Sequence, residues 1–469
     1  MGVRRRSTVV RGLALLLGCA LVAACGARVS DQQVRALRSA PAASGAGTPS
    51  ASGSETTTTV GTASGPSAAA GPSTAGNAAG PTAPVAAGTK LTASDTGITP
   101  DSITLGHVTQ LSGPVPGLFA GSVRGMTAYQ AYANSRGGLI GRKLQVETRD
   151  DQFDAAQNRV VTNDLLGKTF ALIGGVSLYD DAAAGDVGKS GAPDIPGLTL
   201  NKVRGDLPNN FAIAPNADGA PTSHFLWFQR QFPDAVKNVG SLYGDVPSAK
   251  RAHENQRRAA ESIGYVWKYD RGYQPTETDF TADVIRMRQS GVKAVFLVAL
   301  DAKNVARVLN AANQQNWKPD VWILGASAYD RALLTLAGPS AEGVTIFSTV
   351  ALYAGEDSAA IPEVKLFNDW FQKTNPGKTP DFYAVSAWMA NMLLAQALQK
   401  AGPNPTRASV VAALRTITSF DGNGMQAEVD PAAKRPSTCY LIAKVEGGKY
   451  KRVDPVDKGF RCEGTYLRR

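Results

Sequence analysis

From about Gly97 onward, short apolar runs alternate with longer amphipathic ones, and the series is run through twice. That switch of period is the pattern of βα units built around a mainly parallel sheet, and it leaves few other architectures open. In the first series Ile103–Val108, Lys143–Glu147 and Phe170–Ile173 read as strands. Helices are expected through Met126-Tyr129-Tyr132, from Asp154 to Leu166 and over Ala182–Val187. After Ala214-Pro215 the alternation restarts, with strands expected at Val239–Tyr243, Val266–Tyr269, Ala294–Val298, Val321–Leu324 and Val344–Phe347. The intervening helices fall at Ser248–Ile263, Phe280–Ser290 and Ala302–Gln315.

Three later helices, about Glu363–Lys373, Ala384–Ala401 and Arg407–Ile417, have no strands between them. They must pack onto sheets already built. The expected fold is therefore α/β, with two Rossmann-like lobes of parallel sheet joined by a hinge. Lobe 1 takes about residues 96–215 and 350–425, and lobe 2 takes about 216–349 and 426–469. A chain that crosses between lobes several times is suited to hinge motion.

The N-terminal residues are read as processing and tethering segments rather than as fold. Arg4, Arg5, Arg6 and Arg11 precede an apolar run from Gly12 to Val22, which is shorter than the roughly 20 residues a membrane-spanning helix needs. Residues 1–24 thus read as a signal peptide. The run Leu21-Val22-Ala23-Ala24-Cys25 resembles the bacterial lipobox, in which the cysteine becomes the lipidated first residue; Cys19 is a poorer candidate. Several acyl chains together anchor a protein stably, where one does so only marginally. Residues 25–95 read as the lipidated cysteine and a linker, almost entirely Ala, Gly, Ser, Thr and Pro between Pro41 and Lys90. Such a stretch has too little apolar surface to offset the entropy of ordering. As a Gly/Ser-like coil its reach is about 45 Å.

The formal net charge is +10, and removal of residues 1–24 takes away four arginines and no acid. No Lys/Arg block flanked by aromatics is present of the kind that tracks phosphates, so no nucleic-acid partner is expected. Of the four cysteines, Cys19 leaves with the signal peptide and Cys25 carries lipid. Cys439 and Cys462 remain as an even pair, expected to form a disulfide in an oxidising compartment. Closing that loop stabilises by about 3 kcal/mol in the chain-entropy model. No second cysteine pair or histidine cluster points to a metal.

The ordered motifs resemble a known family. Gly97-Ile98-Thr99-Pro100-Asp101-Ser102-Ile103 and Leu111-Ser112-Gly113-Pro114 resemble the opening of the leucine/isoleucine/valine-binding proteins. So do the run from Ala133 to Lys143, the pair Asp150-Asp151 before a helix, and Phe170-Ala171-Leu172-Ile173-Gly174-Gly175. Ala337-Gly338-Pro339-Ser340-Ala341-Glu342-Gly343-Val344, the helix from Tyr383 to Gly402 and Asp421-Gly422 complete the match. The resemblance runs from Gly97 to the end and rests on the order and spacing of motifs that are individually weak. It implies a type I periplasmic-binding fold, a small-molecule ligand, an ABC permease in the membrane as partner, and no cofactor. Ligands in such sheets bind outside the carboxyl ends of the strands.

The resemblance also implies a site. In leucine-binding relatives, serine and threonine groups of lobe 1 hold the ligand carboxylate, an acid of lobe 2 pairs with the ammonium, and aromatics cover the side chain. Both ends need partners because an unpaired buried charge is very costly. Ser112 and Thr199 match the family's serine and threonine positions. The carboxylate-binding serine falls at Leu178, with Ser177 one place early and Tyr179 following. Leu118 and Phe119 fall where an aromatic covers the ligand. The family acid falls at Ser327, which is a departure. Asp301, directly after the strand ending Val298-Ala299-Leu300, either supplies that charge or caps the helix that starts at Ala302, a role Asp fills well. Tyr243 ends another strand and is either a wall residue or core. These departures widen the ligand class to branched-chain amino acids, amides, urea or aromatic acids.

An enzyme is the alternative from a different class. His107, His224 and His253 are isolated in sequence, and the chain carries no Gly-x-Ser-x-Gly elbow, no His-Glu-x-x-His and no phosphate-cradling loop. Gly137-Gly138-Leu139-Ile140-Gly141 follows a helix and precedes a strand, the wrong order for a dinucleotide loop. A ligand-sensing lipoprotein that reports to a signalling receptor, and a scaffold with a degenerate pocket, both keep the fold and change the role.

Overall fold

The computed structural model describes residue 86 and residues 88–215, 218–297 and 300–469. The expected signal peptide, Cys25 and the linker up to residue 85 lie outside the described residues, as does Val298. The first βα series forms β1 (Ser102–Thr109), α1 (Ala120–Ser135), β2 (Lys143–Asp150), α2 (Ala155–Leu166), β3 (Ala171–Ile173), α3 (Ala184–Ser190) and β4 (Asp194–Ile195). Its four strands pair in the order β2-β1-β3-β4, all parallel. The register runs from Ser102 beside Lys143 to Thr109 beside Asp150, so both strands end at one edge. Asp154 caps α2 by accepting from the Gln157 N–H at 2.7 Å.

A short helix α4 (Lys202–Gly205) and strand β5 (Gly219–Pro221) lead into the second series. That series comprises α5 (Ser223–Gln231), β6 (Val239–Gly244), α6 (Pro247–Glu261), β7 (Trp267–Tyr273), α7 (Thr281–Gln289) and β8 (Ala294–Leu297). It continues with α8 (Ala302–Gln314), β9 (Val321–Leu324), α9 (Arg331–Ala337) and β10 (Thr345–Ser348). Strands β6 to β10 are parallel in the order β10-β9-β8-β6-β7.

The strand expected to stop at Tyr269 continues to Tyr273. Asp270-Arg271-Gly272 is polar, but each of its charges is matched. The Ser241 hydroxyl donates to Asp270 at 2.6 Å, and Arg271 pairs with Asp283 and, at 2.7 Å, with Glu277. The correction brings Tyr273 to the strand edge.

The three late helices are α10 (Pro362–Thr374), α11 (Phe382–Ala401) and α12 (Arg407–Leu414). They return to the first sheet. Helix α11 is apolar around its whole circumference, with Val385, Trp388 and Leu393 fully buried, as suits a helix packed on all sides. It crosses α1 at Gly121 and Gly125. A Cβ at Gly121 would collide with the Asp381 carboxylate, and one at Gly125 with the Ala384 carbonyl. Arg407 fastens α12 by donating to the Leu166 carbonyl at 2.7 Å.

The chain then completes the second sheet with β11 (Cys439–Glu446), β12 (Lys449–Asp454) and β13 (Arg461–Cys462), while β14 (Tyr466–Arg468) pairs with β5. Strand β11 runs antiparallel to β10. Cys439 and Cys462 are directly paired across β11 and β13 and joined by the expected disulfide, Cα to Cα 4.0 Å.

The connections between the sheets hold one another. Val350 bridges Gln426 in antiparallel fashion, the Ala427 N–H donates to the Thr349 carbonyl at 2.7 Å, and the Gln426 side chain donates to the Ile213 carbonyl at 3.0 Å. All three crossovers thereby form one hydrogen-bonded hinge.

Candidate functional site

The edge of the first sheet is polar, and most of its polar groups are already engaged. Asp150, at the end of β2, accepts from the Leu111 N–H at 2.9 Å and from the Ser112 hydroxyl at 2.6 Å. Burial pushes the Asp150 carboxyl up, but those hydrogen bonds and others from the Gln152 and Ser112 N–H groups outweigh it and hold it below the usual carboxylate range. Ser177 donates to Asp151 and accepts from the Asn158 amide at 3.2 Å and the Tyr179 N–H at 3.0 Å. Its one proton and both lone pairs are in use, so it holds the loop after β3 together. The Leu178 carbonyl accepts from the Asn201 amide at 3.2 Å, and Tyr179 packs edge-on against Phe153 at 5.7 Å.

Three side chains on this edge keep buried polar atoms without a partner among the described residues, the first being Asn158 through its Oδ1. The Thr199 hydroxyl is buried with no hydrogen-bond partner among the described residues. Both polar atoms of Gln110, the residue after β1, are in the same condition. A buried polar group without a partner costs about 1–3 kcal/mol, so these are positions where a ligand would satisfy the protein. Thr199 was expected. Gln110 was missed in sequence, where its signal was one polar residue directly after an apolar strand.

On the second sheet Asp301 does cap α8, accepting from the Lys303 and Asn304 N–H groups at 2.8 and 2.9 Å through Oδ1. Its Oδ2 takes only a long bond of 3.3 Å from the Asn304 amide, which also approaches the Tyr273 hydroxyl at 3.3 Å. Ser327 donates to the Leu300 carbonyl at 3.0 Å and stabilises the loop instead of replacing an acid. Tyr243 lies flat on His253, ring centroids 4.2 Å apart, and that imidazole sits 2.9 Å from Asp270.

The predicted residues that come together are Phe119 and Asp301, and Tyr383 of α11 joins them. Leu118 precedes Phe119 and is half-buried. The Phe119 ring is buried and meets Tyr383 edge-on at 4.7 Å. Tyr383 is positioned by the α1–α11 crossing, where Asp381 caps α11 through the Ala384 N–H at 2.8 Å and pairs with Arg124 at 3.1 Å. Burial first, and then the negative charges of Asp301, Asp381 and Asp330, push the Tyr383 hydroxyl pKa up. The Tyr273 hydroxyl is raised by burial and by Asp301. Burial likewise raises Asp330, reinforced by Asp381 and Asp301. Three carboxylates, the Arg124 guanidinium and two phenols therefore share one field beside an aromatic wall, with the carboxylates in excess. Such a field favours a cation. Among the described residues no group of three or more His, Cys, Asp or Glu is arranged to hold a metal ion.

A cavity of about 270 Å³ lies at the crossovers, lined among others by Pro215, Val350, Gln426 and Phe382. None of the ten side chains expected at the ligand lines it.

Two α/β lobes joined by three crossovers, with polar groups at the strand edges, define a bilobal solute-binding protein. The chain belongs to the periplasmic binding protein family, whose model matches residues 102–449. Members of this family are extracytoplasmic solute-binding proteins, not enzymes. A Leu/Ile/Val-binding protein homolog 2 from Brucella abortus is 24% identical over 341 residues, covering 70% of this chain and 86% of that one. Among solved structures, the fold is similar to a fatty acid ABC transporter substrate-binding protein from Thermomonospora curvata: TM-score 0.67, 21% identity, 80% of this chain and 95% of that one. It is also similar to a branched chain amino acid ABC transporter protein from Thermus thermophilus with bound valine: TM-score 0.66, 17% identity, 77% and 97% covered.

Proposed function

We propose that the protein is the lipid-anchored receptor of an ABC importer and that it closes around an amino acid or a similarly small polar ligand. The observation that carries the ligand reading is the convergence of Asp301, Asp330 and Asp381 on Tyr383 and Phe119. An ammonium group fits that field, with Asp301 Oδ2 as its nearest under-used acceptor. Thr199 and Gln110 on the other edge present unpartnered neutral groups to the rest of the ligand. Closure then follows from contacts that exist only when both edges meet, so ligand favours the closed state, and the closed form docks on the permease. The anchor rests on Cys25 in Leu21-Val22-Ala23-Ala24-Cys25.

The test is a thermal-shift screen of the full chain against amino acids, amides, urea and aromatic acids. A ligand that binds only the native state raises the melting midpoint by mass action. A shift with amino acids supports the ammonium site. Shifts confined to uncharged or acidic compounds retain the receptor and reject the amino acid.

A further inference from the structure

The cavity at the crossovers has a chemistry unlike that of the strand edges. None of the described residues lining its 270 Å³ is Asp, Glu, Lys or Arg. A ligand carrying full charge would be desolvated there without a partner, at a cost it has no means to recover. The walls are aromatic and aliphatic, with Phe347, Phe382 and Tyr440 contributing rings and Val350 and Pro215 filling between them.

Ser223 Oγ is buried without a hydrogen-bond partner among the described residues, and His224 and Gln256 face each other as a hydrogen-bonding pair whose Nε2 and Oε1 atoms do not reach good geometry. Ser223 and His224 open α5 and are almost wholly buried. The His224 imidazole lies flat on Phe347, centroids 3.8 Å apart and planes within 8°, which fixes its edge toward the remaining space. Burial drives its pKa down to about 3, opposed only by the hydrogen-bonding contact with the Gln256 side chain, so the ring is neutral at any physiological pH. Buried polar groups are nearly always well paired, so an open hydroxyl beside a poorly made pair around one cavity marks a place a ligand would complete. The volume exceeds the roughly 150 Å³ of an apolar cavity that accepts benzene, so it has room for a ring and a substituent.

We propose that the crossover cavity is a second ligand site, for a small uncharged molecule that carries one aromatic ring and a hydrogen-bonding carboxamide or hydroxyl group. The ring packs among Phe347, Phe382 and Tyr440, and the polar group meets Ser223, His224 and Gln256. Zwitterions are excluded here for the reason they suit the strand edges.

The experiment is isothermal titration of the full chain with phenylacetamide and with phenylacetate, which share a shape and differ in charge. The amide binds at one per chain, and the acid binds at least tenfold more weakly. Thr349 is an exposed crossover residue lining the cavity, so Thr349→Trp fills the space at little cost to folding and removes amide binding. Gln256→Leu, which is milder, weakens the amide about tenfold. The site is overturned if phenylacetamide, indole and p-cresol all give no heat, if amide and acid bind alike, or if Thr349→Trp leaves the amide's affinity unchanged.

Discussion

The two strand edges carry acids in similar number and use them in opposite ways. On the first sheet Asp150 and Asp151 are surrounded by donors from their own loops: Ser112, Ser177, Asn158 and backbone N–H groups. What remains open there is neutral, namely Thr199, Gln110 and the Asn158 amide oxygen. On the second sheet Asp301 and Asp330 each give one oxygen to a helix cap, and with Asp381 they project a negative field onto Tyr383. The lesson is that the number of carboxylates at an edge says little about its polarity toward a ligand. The count of donors already aimed at them decides it.

The largest expected effect tests whether the first edge is neutral to its base. His107 on β1 is fully buried between the Ile173 carbonyl at 3.0 Å and the Ser122 hydroxyl at 3.1 Å, and Ser122 in turn reaches Thr109. Burial lowers its pKa to about 4, with the Ile173 carbonyl opposing. A histidine depressed in the folded state contributes stability in full above its unfolded pKa near 6.5, and that contribution is lost as pH falls through 6.5 to 4. The linkage amounts to about 3 kcal/mol. Urea melts at pH 7 and pH 4 should therefore show His107→Gln losing about that much less than the wild type on acidification, though it starts less stable. Equal losses would mean that His107 titrates alike in the folded and unfolded chain, so that the base of the first edge does not resist a charge.

Next in size is the charge on the second edge. Asp301→Asn keeps the α8 cap, because Asn caps about as well as Asp, and removes only the charge. For an amino-acid ligand identified by the thermal screen, the affinity should fall about 100-fold, or roughly 2.7 kcal/mol, since one partner of a desolvated pair is gone. Its deaminated acid should lose little. Titration of both against both proteins reads the difference, and an equal loss would assign Asp301 to the cap alone.

The fold was readable because periodicity is a local property repeated many times, and most expected strands and helices lie within a few residues of their observed bounds. That the late helices pack onto sheets already built followed from the absence of strands between them. Asp301 could be singled out because it follows directly on an expected strand, whereas Thr199 and Phe119 came only through the family resemblance. Ser112 and Ser177 had the right residue type and place, but their hydroxyls were claimed by acids 38 and 26 residues away, which no local pattern reveals. Tyr383 was seen as helix, not as site, because its role depends on two glycines of α1, more than 250 residues earlier, that let α11 come close. Tyr273 was hidden by the polar Asp270-Arg271-Gly272, whose charges are matched by Ser241, Glu277 and Asp283.

The smallest expected effect separates a hydroxyl that awaits a ligand from one that is merely misplaced. Thr199→Val is close to isosteric and removes a buried hydroxyl that has no partner in the free protein. Without ligand, the change relieves an unsatisfied group and should stabilise the fold by about 1 kcal/mol. With ligand, it removes a hydrogen bond, so affinity should fall about tenfold, close to 1.4 kcal/mol. The two signs are opposite, and one thermal-melt series with and without ligand reads both. A Thr199→Val variant that is stabilised and still binds at full strength would take Thr199 out of the site. The neutral edge would then rest on Gln110 and the Asn158 amide oxygen.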